Sequence, residues 1–375
     1  MNIVHIGPPH LPIMYKFGGA IERRIRELAV RQVAMGSRVV VYSAENRKHS
    51  SNYQGVEVRG LHCRRQGTIR AAEFLTKSLL DARTVQPDVI HFHSLPEGAA
   101  FAHLFCTGRG LRTILSYDYF IFRRGKENPF YGWYRRALDS FSSLLPVSDY
   151  CRRESAAYWT LPGNRMQVLY NGVNLQQFTP QSAAAQKRAE LGLNGDFVVL
   201  YVGRICTQKG TDLLVEACAR LRAEGRNVRL VLAGPIGQFG NDGSNEITSA
   251  AKAAQGLYLG AVDEEALPSI YSIADVFVMP TRANEMFGMA TVEAQACGRP
   301  VICSDNGGLP EVVSSSGLLF RSGDAEHLAQ QIRICMDHRE LRQRLSAASI
   351  VNARRFAWDA ITTRLDGLYR EAAAL

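Results

Sequence analysis

The chain has 375 residues, too many for one ordinary domain and comfortable for two, each able to bury its own core. At 46% hydrophobic and 21% charged residues it is no disordered chain, and its longest apolar runs are strand-sized, short of the roughly 20 residues a membrane helix needs. The net charge of +9 is lopsided: residues 1–180 hold 24 Lys and Arg against 13 Asp and Glu, the remainder 20 against 22, so the first half faces an anionic partner, whether nucleic acid, a membrane surface or an anionic substrate.

The N-terminus runs directly into an apolar strand, Ile3 to Ile6, closed by Gly7-Pro8-Pro9, without the basic, apolar and cleavage regions of a signal peptide; a cytoplasmic location is expected. Phe17-Gly18-Gly19-Ala20 follows, paired glycines that either allow close backbone approach to a ligand or form a plain turn. Ile21, Ile25, Leu28, Ala29 and Val33 then recur at helical spacing. Arg23, Arg24, Arg26 and Arg31 are assigned off that stripe, to an exposed basic face that either touches an anionic membrane or is merely solvated.

Further strands are expected at Arg38 to Tyr42, Val56 to Val58, Val89 to Phe92, Thr113 to Leu115 and Leu144 to Val147. His93, in His91-Phe92-His93-Ser94, ends one of them and is a candidate on the ligand side, or a structural histidine. Between Tyr117 and Tyr134 lie eight of the 33 aromatics (Tyr117, Tyr119, Phe120, Phe122, Phe130, Tyr131, Trp133, Tyr134), interleaved with Arg123, Arg124 and Lys126 and followed by Arg135 and Arg136. This suits sugar stacking, an anionic acceptor or a membrane contact, and equally a helix with its aromatics turned inward.

A turn at Asn171-Gly172-Val173-Asn174 marks a boundary near 175, after which Phe197 to Val202, Val228 to Leu232, Asp275 to Met279, Pro300 to Cys303 and Leu318 to Phe320 repeat the strand and helix rhythm. Near-continuous apolar strands alternating with helices imply two doubly wound α/β domains with parallel sheets. Ligands of such sheets sit beyond the carboxyl ends of the strands. Eight scattered cysteines show no metal or redox spacing and are expected as buried thiols.

The densest chemistry lies between Pro280 and Glu311. Glu285 stands in a loop and Glu293 eight positions later on a helix that Phe287-Gly288-Met289-Ala290 begins, leaving N–H groups for a phosphate and two carboxylates either for sugar and ribose hydroxyls or, each taken singly, as a helix-end charge and a solvated side chain. After Phe197 to Val202 come Gly203-Arg204 and Lys209-Gly210, a guanidinium fork and a point charge suited to a diphosphate. Ala233-Gly234-Pro235 follows the next strand.

Glu285-Met286-Phe287-Gly288, Glu293-Ala294, Gly298-Arg299-Pro300-Val301 and Gly307-Gly308-Leu309-Pro310-Glu311 together resemble the signature of the family 4 retaining glycosyltransferases, in order and spacing. The resemblance covers most of the chain and is strongest over 197–322. It implies a GT-B fold, two Rossmann-like domains facing a central cleft: 1–175 for the acceptor, 176–355 for the nucleotide-sugar donor, and 356–375 a terminal helix crossing back. It implies that Arg204 and Lys209 hold the donor diphosphate, with Glu285 completing the catalytic group, and that Gly18, Gly19, Gly203, Gly234, Phe287, Gly288, Met289, Ala290 and Glu293 line the donor. Met286 replaces the small residue or proline usual there. Ser116-Tyr117-Asp118 stands where relatives carry a His-Asp pair, so Tyr117, a poor base near neutral pH, and His93 are the candidates at the reacting centre. The expected partners are a nucleotide-sugar donor, UDP favoured over GDP, and a sugar, lipid-linked or small-molecule acceptor, with no resident cofactor and no metal, since no Asp-x-Asp occurs. The rival readings are a nucleotide-sugar hydrolase or epimerase of the same fold and, outside enzymes, a basic nucleotide- or nucleic-acid-binding module.

Overall fold

A computed structural model of the chain describes residues 1–9, 12–13, 19–64, 67–94, 112–118, 131–162, 166–236 and 243–374. They form two compact units, Met1–Asn171 with Trp358–Leu375, and Gly172–Ala357. The division thus falls between Asn171 and Gly172, with the turn itself a little later, at 175–177, and the helix Trp358–Ala374 is counted with the first unit.

The first unit has one sheet of seven described strands: β1 Asn2–Ile6, β2 Arg38–Glu45, β3 His49–Tyr53, β4 Val56–His62, β5 Val89–His93, β6 Arg112–Tyr117 and β7 Ser143–Pro146. Their order is β3-β4-β2-β1-β5-β6-β7, all parallel except β3, which runs antiparallel to β4. The central strands are buried along almost their whole length, as expected of a sheet covered on both faces. β3, His-Ser-Ser-Asn-Tyr, is an exposed polar edge strand, joined to β4 through Gln54 and Gly55, both at positive φ (50° and 87°), the geometry of a tight hairpin turn.

Helix α1, Ala20–Ala34, turns Ile25, Leu28 and Ala29 into the core. The sequence assigns Arg24 to an exposed basic face; instead Arg24 is 3% exposed, and its guanidinium donates to Ser116 Oγ (3.0 Å) and the Leu169 carbonyl (3.4 Å). Position 24 follows Ile21 by three residues and precedes Leu28 by four, so it lies on the buried stripe. Arg31 is bonded to Glu27 and, at 2.6 Å, to Asp359 of the terminal helix. None of Arg23, Arg24, Arg26 and Arg31 is exposed, so α1 presents no free cationic face.

The second unit has six described strands: β8 Phe197–Val202, β9 Val228–Ala233, β10 Leu257–Tyr258, β11 Val276–Met279, β12 Val301–Ser304 and β13 Gly317–Phe320. They are all parallel, in the order β10-β9-β8-β11-β12-β13. The order reverses between β8 and β11, and the loops leaving those two strands diverge at that switch point, where open α/β sheets bind ligands. The seven described cysteines are buried and form no disulfide; Cys106 lies outside the described residues. No helix among the described residues is long and apolar enough to cross a membrane.

Candidate active site

The loop after β8 carries Gly203 and Arg204, then a single turn, Thr207–Lys209, closed by Gly210. The loop after β11 carries Glu285. The two meet: Lys209 Nζ lies 2.5 Å from Glu285 Oε2, with the side chains 23% and 20% exposed, so the pair is held by protein on most sides and open to a ligand on the rest. Residues 76 apart in sequence, chosen from separate motifs, thus form one charged centre beyond the carboxyl ends of the two switch-point strands.

Two glycines explain why the loops can approach. Gly210 has φ +68°, and a Cβ there would stand 1.9 Å from the carbonyl oxygen of Pro280. Gly307 has φ +65°, and its Cβ would stand 2.2 Å from the Glu285 carbonyl oxygen, which accepts instead from the Gly308 N–H at 2.7 Å. Only glycine tolerates both the backbone region and the contact. The glycine pair of the Gly307-Gly308-Leu309-Pro310-Glu311 motif therefore seats the backbone of Glu285. Stitching continues through Arg282, whose N–H and that of Ala283 donate to the Gln208 carbonyl at 3.1 and 3.2 Å, and whose guanidinium binds Asp212 and the Thr207 carbonyl. Nothing in the sequence motifs singles out Arg282 or Asp212, because they hold the Lys209 turn rather than face a ligand.

The remaining donor-side candidates divide. Gly203 and Gly234 pack against each other at the ends of β8 and β9, and the Tyr201 hydroxyl donates to the Arg204 carbonyl at 2.8 Å. Burial, with smaller contributions from Cys206 and Glu285, pushes the Tyr201 phenol well above its ordinary value, so it stays a donor. Gly288, at φ +84°, caps the helix Met289–Ala296 without a side-chain cap, and Met289 and Ala290 are half-buried. Phe287 was expected against the donor; its ring is 2% exposed and packs edge-on to Phe356 at 5.3 Å, leaving only its backbone to a ligand. Met286 is likewise buried. Glu293 was expected to accept from a ribose, but the side chain is 3% exposed and takes a hydrogen bond from the buried Tyr271 hydroxyl at 2.7 Å.

In the first unit, Gly18 and the segment from Tyr119 to Phe130, with Arg123, Arg124 and Lys126, lie outside the described residues. Gly19 is the exposed residue preceding α1. Helix α3, Tyr131–Asp139, keeps Tyr131 stacked on Trp159 (5.0 Å) and leaves Trp133 39% exposed. The two candidates for the reacting centre are corrected. Tyr117 is 2% exposed, its hydroxyl points at Met166 Sδ (3.4 Å), and burial pushes its phenol above the ordinary value. β6 is buried on both faces, so Tyr117 and the Ser116 that bonds Arg24 and His91 both lie in the interior.

His93 is 1% exposed and belongs to a cluster that the sequence did not announce. His5 on β1 is in register with His91 on β5, and His93 follows two residues on, so all three rings share one face. His91 and His93 stack at 4.0 Å. His5 bonds His93 at 2.9 Å and Gln32 at 2.7 Å, while His91 bonds Ser116 at 2.6 Å and the Tyr369 hydroxyl of the terminal helix at 2.5 Å. Of the six ring nitrogens the His93 Nδ1 alone has no partner among the described residues, and Arg24 Nε and Gln32 Nε2 beside the cluster have none either. Burial drives His5 down to about 4 and His91 and His93 well below their ordinary value, with Arg24 adding to each. Burial thus favours the neutral form of all three rings, which are core groups bonded or stacked on one another. The alternation His91-Phe92-His93 beside a histidine on the first strand was the signal available for it.

Two doubly wound sheets, the second with its charged pair at the switch point, define the GT-B fold. The chain matches sucrose-phosphate synthase from Thermosynechococcus elongatus with a TM-score of 0.83 at 21% identity, over 100% of both chains. It matches Anabaena HepE in complex with UDP-glucose with a TM-score of 0.78 at 18% identity, again over 100% of both. The family model described as glycosyl transferases group 1 matches residues 184–351, and that of glycosyltransferase family 4 matches 17–177; the chain belongs to this glycosyltransferase family. Among its relatives, the D-inositol 3-phosphate glycosyltransferases of Jonesia denitrificans and Thermobispora bispora are 31% and 35% identical, the matches covering 62% and 59% of this chain. They span 58% and 54% of those relatives, little more than half their length.

Proposed function

We propose that the chain is a hexosyltransferase moving a sugar from a nucleotide diphosphate sugar to an acceptor hydroxyl with retention of configuration. The observation that carries this reading is the Lys209–Glu285 pair at the switch point of the second unit. An arriving diphosphate competes for the Lys209 ammonium and releases the Glu285 carboxylate to accept from a sugar hydroxyl; Arg204 and the uncapped first turn of Met289–Ala296 supply further donors for phosphate oxygens. The acceptor oxygen attacks the anomeric carbon on the face that the leaving group departs from. As the bond from that carbon to the phosphate oxygen breaks, the acceptor proton passes to the departing phosphate. The protein then has to position both substrates and stabilise the leaving charge rather than supply a nucleophile. UDP is favoured, in keeping with the HepE complexes with UDP and UDP-glucose, with GDP as the alternative. An acceptor bearing phosphate, as the names of the inositol phosphate relatives say of theirs, agrees with the basic first half.

The test is a screen of UDP-, GDP-, ADP- and dTDP-sugars for donor turnover, followed by trapping with phosphorylated and plain polyol acceptors. Product that carries the sugar on the acceptor supports the reading. Sugar release unaffected by any acceptor points to a hydrolase, and failure of every nucleotide to stabilise the fold rejects the donor site. Turnover is expected to persist in EDTA; loss on chelation with rescue by magnesium would overturn the metal independence.

A further inference from the structure

The first unit carries the excess positive charge, yet most of its described arginines are spent: Arg24 is buried, and Arg31, Arg38 and Arg59 are each paired with carboxylates. Of the exposed cations with no ion pair among the described residues, Arg135 and Arg136 lie on α3, while a second group gathers around one concavity. A groove of about 900 Å³ opens between the turn from β2 to β3, the end of β4 and helix α2, Gly67–Ala82. That is the size of a small-molecule site.

Its two carboxylates are already neutralised. Glu73 takes Lys77 Nζ at 2.5 Å and the backbone N–H of Arg64 at 3.1 Å; Asp81 takes Arg59 at 2.6 Å and the Tyr42 hydroxyl at 2.9 Å. Arg47, Lys48 and Arg64 also line the groove, are exposed, and make no ion pair among the described residues. Three like charges around one concavity repel each other until an anion sits among them. Two guanidinium forks with an ammonium match the several oxygens of a phosphate dianion. The rest of the lining includes Leu61 and Leu80, the latter 48% exposed, and it holds no Phe, Tyr or Trp on which a base could stack, which argues against single-stranded nucleic acid.

We infer that this groove is a binding site for a phosphate-bearing anion, separate from the sugar donor site of the second unit. The phosphate can come from a free phosphorylated metabolite or from an anionic lipid headgroup. Neither source alters the chemistry that recognises it. The inference is independent of the proposed function, because none of its residues belongs to the Lys209–Glu285 centre.

The experiment uses the full chain carrying Lys209→Ala, so that a diphosphate has its main cation in the second unit removed. Hydrogen exchange of peptides covering residues 46–64 and 73–84 is followed on adding inorganic pyrophosphate. In parallel, vesicles of phosphatidylcholine with and without phosphatidylglycerol are used. Protection by pyrophosphate, weakened about tenfold or more by Arg47→Gln/Lys48→Gln/Arg64→Gln and by added salt, is expected for a metabolite site. Protection by the anionic vesicles alone, equally lost in the triple variant, identifies a headgroup. No protection by either probe, protection unchanged in the triple variant, or protection only by duplex DNA overturns the inference. All three positions are exposed, so an unchanged unfolding temperature is the control for folding.

Discussion

The two units handle buried polarity in opposite ways. In the second, Lys209 and Glu285 sit in loops beyond the strand ends, brought together by glycines and left partly open. In the first, His5, His91, His93 and Arg24 lie in the interior, each at most 3% exposed, and are partnered by one another and by Gln32, Ser116, Tyr369 and the Leu169 carbonyl. A charge kept at a strand end can change partner when a ligand arrives. A polar group sealed in the core cannot be given up without opening the unit, so it serves the fold.

The largest expected effect breaks the open arrangement at its backbone. Gly307→Ala places a Cβ in the left-handed region against the Glu285 carbonyl, and the two penalties together should cost about 2–4 kcal/mol of stability, with turnover lost because the glutamate shifts. Thermal unfolding and a donor assay check it; a stable, active variant would mean that the loops are not pinned there. Next, Glu285→Gln or Lys209→Ala should lower turnover by at least about 100-fold, roughly 2.7 kcal/mol of transition-state stabilisation, with the fold intact. Near-normal rates would remove the pair from the mechanism.

The sealed cluster should show itself in acid. Unfolded, the three histidines take up protons below about 6.5, whereas folded His5 resists until about 4 and its two neighbours lower still. The unfolded state therefore binds more protons in that window, and stability falls with falling pH by about 1.4 kcal/mol per unit for each histidine. Unfolding followed from pH 7 to 5, above the carboxylate range, should show this slope, and a flat profile would mean that the rings are solvated. The smallest effect is the sharpest on role: Tyr117→Phe removes a weak bond to Met166 and a hydrogen bond with Ser155, and should cost about 1 kcal/mol of stability while changing turnover hardly at all. A large kinetic loss would return Tyr117 to the reacting centre.

Most of the fold of the second unit was legible because its loops are written in residues with strict local demands. Glycines at positive φ, an Arg and a Lys after one strand and a glutamate after another appear at fixed spacing, and β8 and β11 are unbroken apolar runs. What escaped were the parts held by tertiary context. Edge strand β3 has no apolar pattern, and its one clue is Gln54-Gly55. Arg24 was misassigned although its spacing from Ile21 and Leu28 placed it on the buried face, because a charged side chain was weighed by type rather than position. The strand-end histidine and tyrosine stay away from solvent because β5 and β6 are buried on both faces up to their last residue, which the position of a strand end does not reveal.

The division of the first unit into two stretches of chain has a consequence for synthesis. Residues 1–171 leave the ribosome before Gly172–Ala357, but the helix holding Tyr369, which bonds His91, emerges only after all of Gly172–Ala357. Of the two units, the one made earlier is thus the later to acquire its full set of contacts, reversing the usual order in which domains mature along a nascent polypeptide.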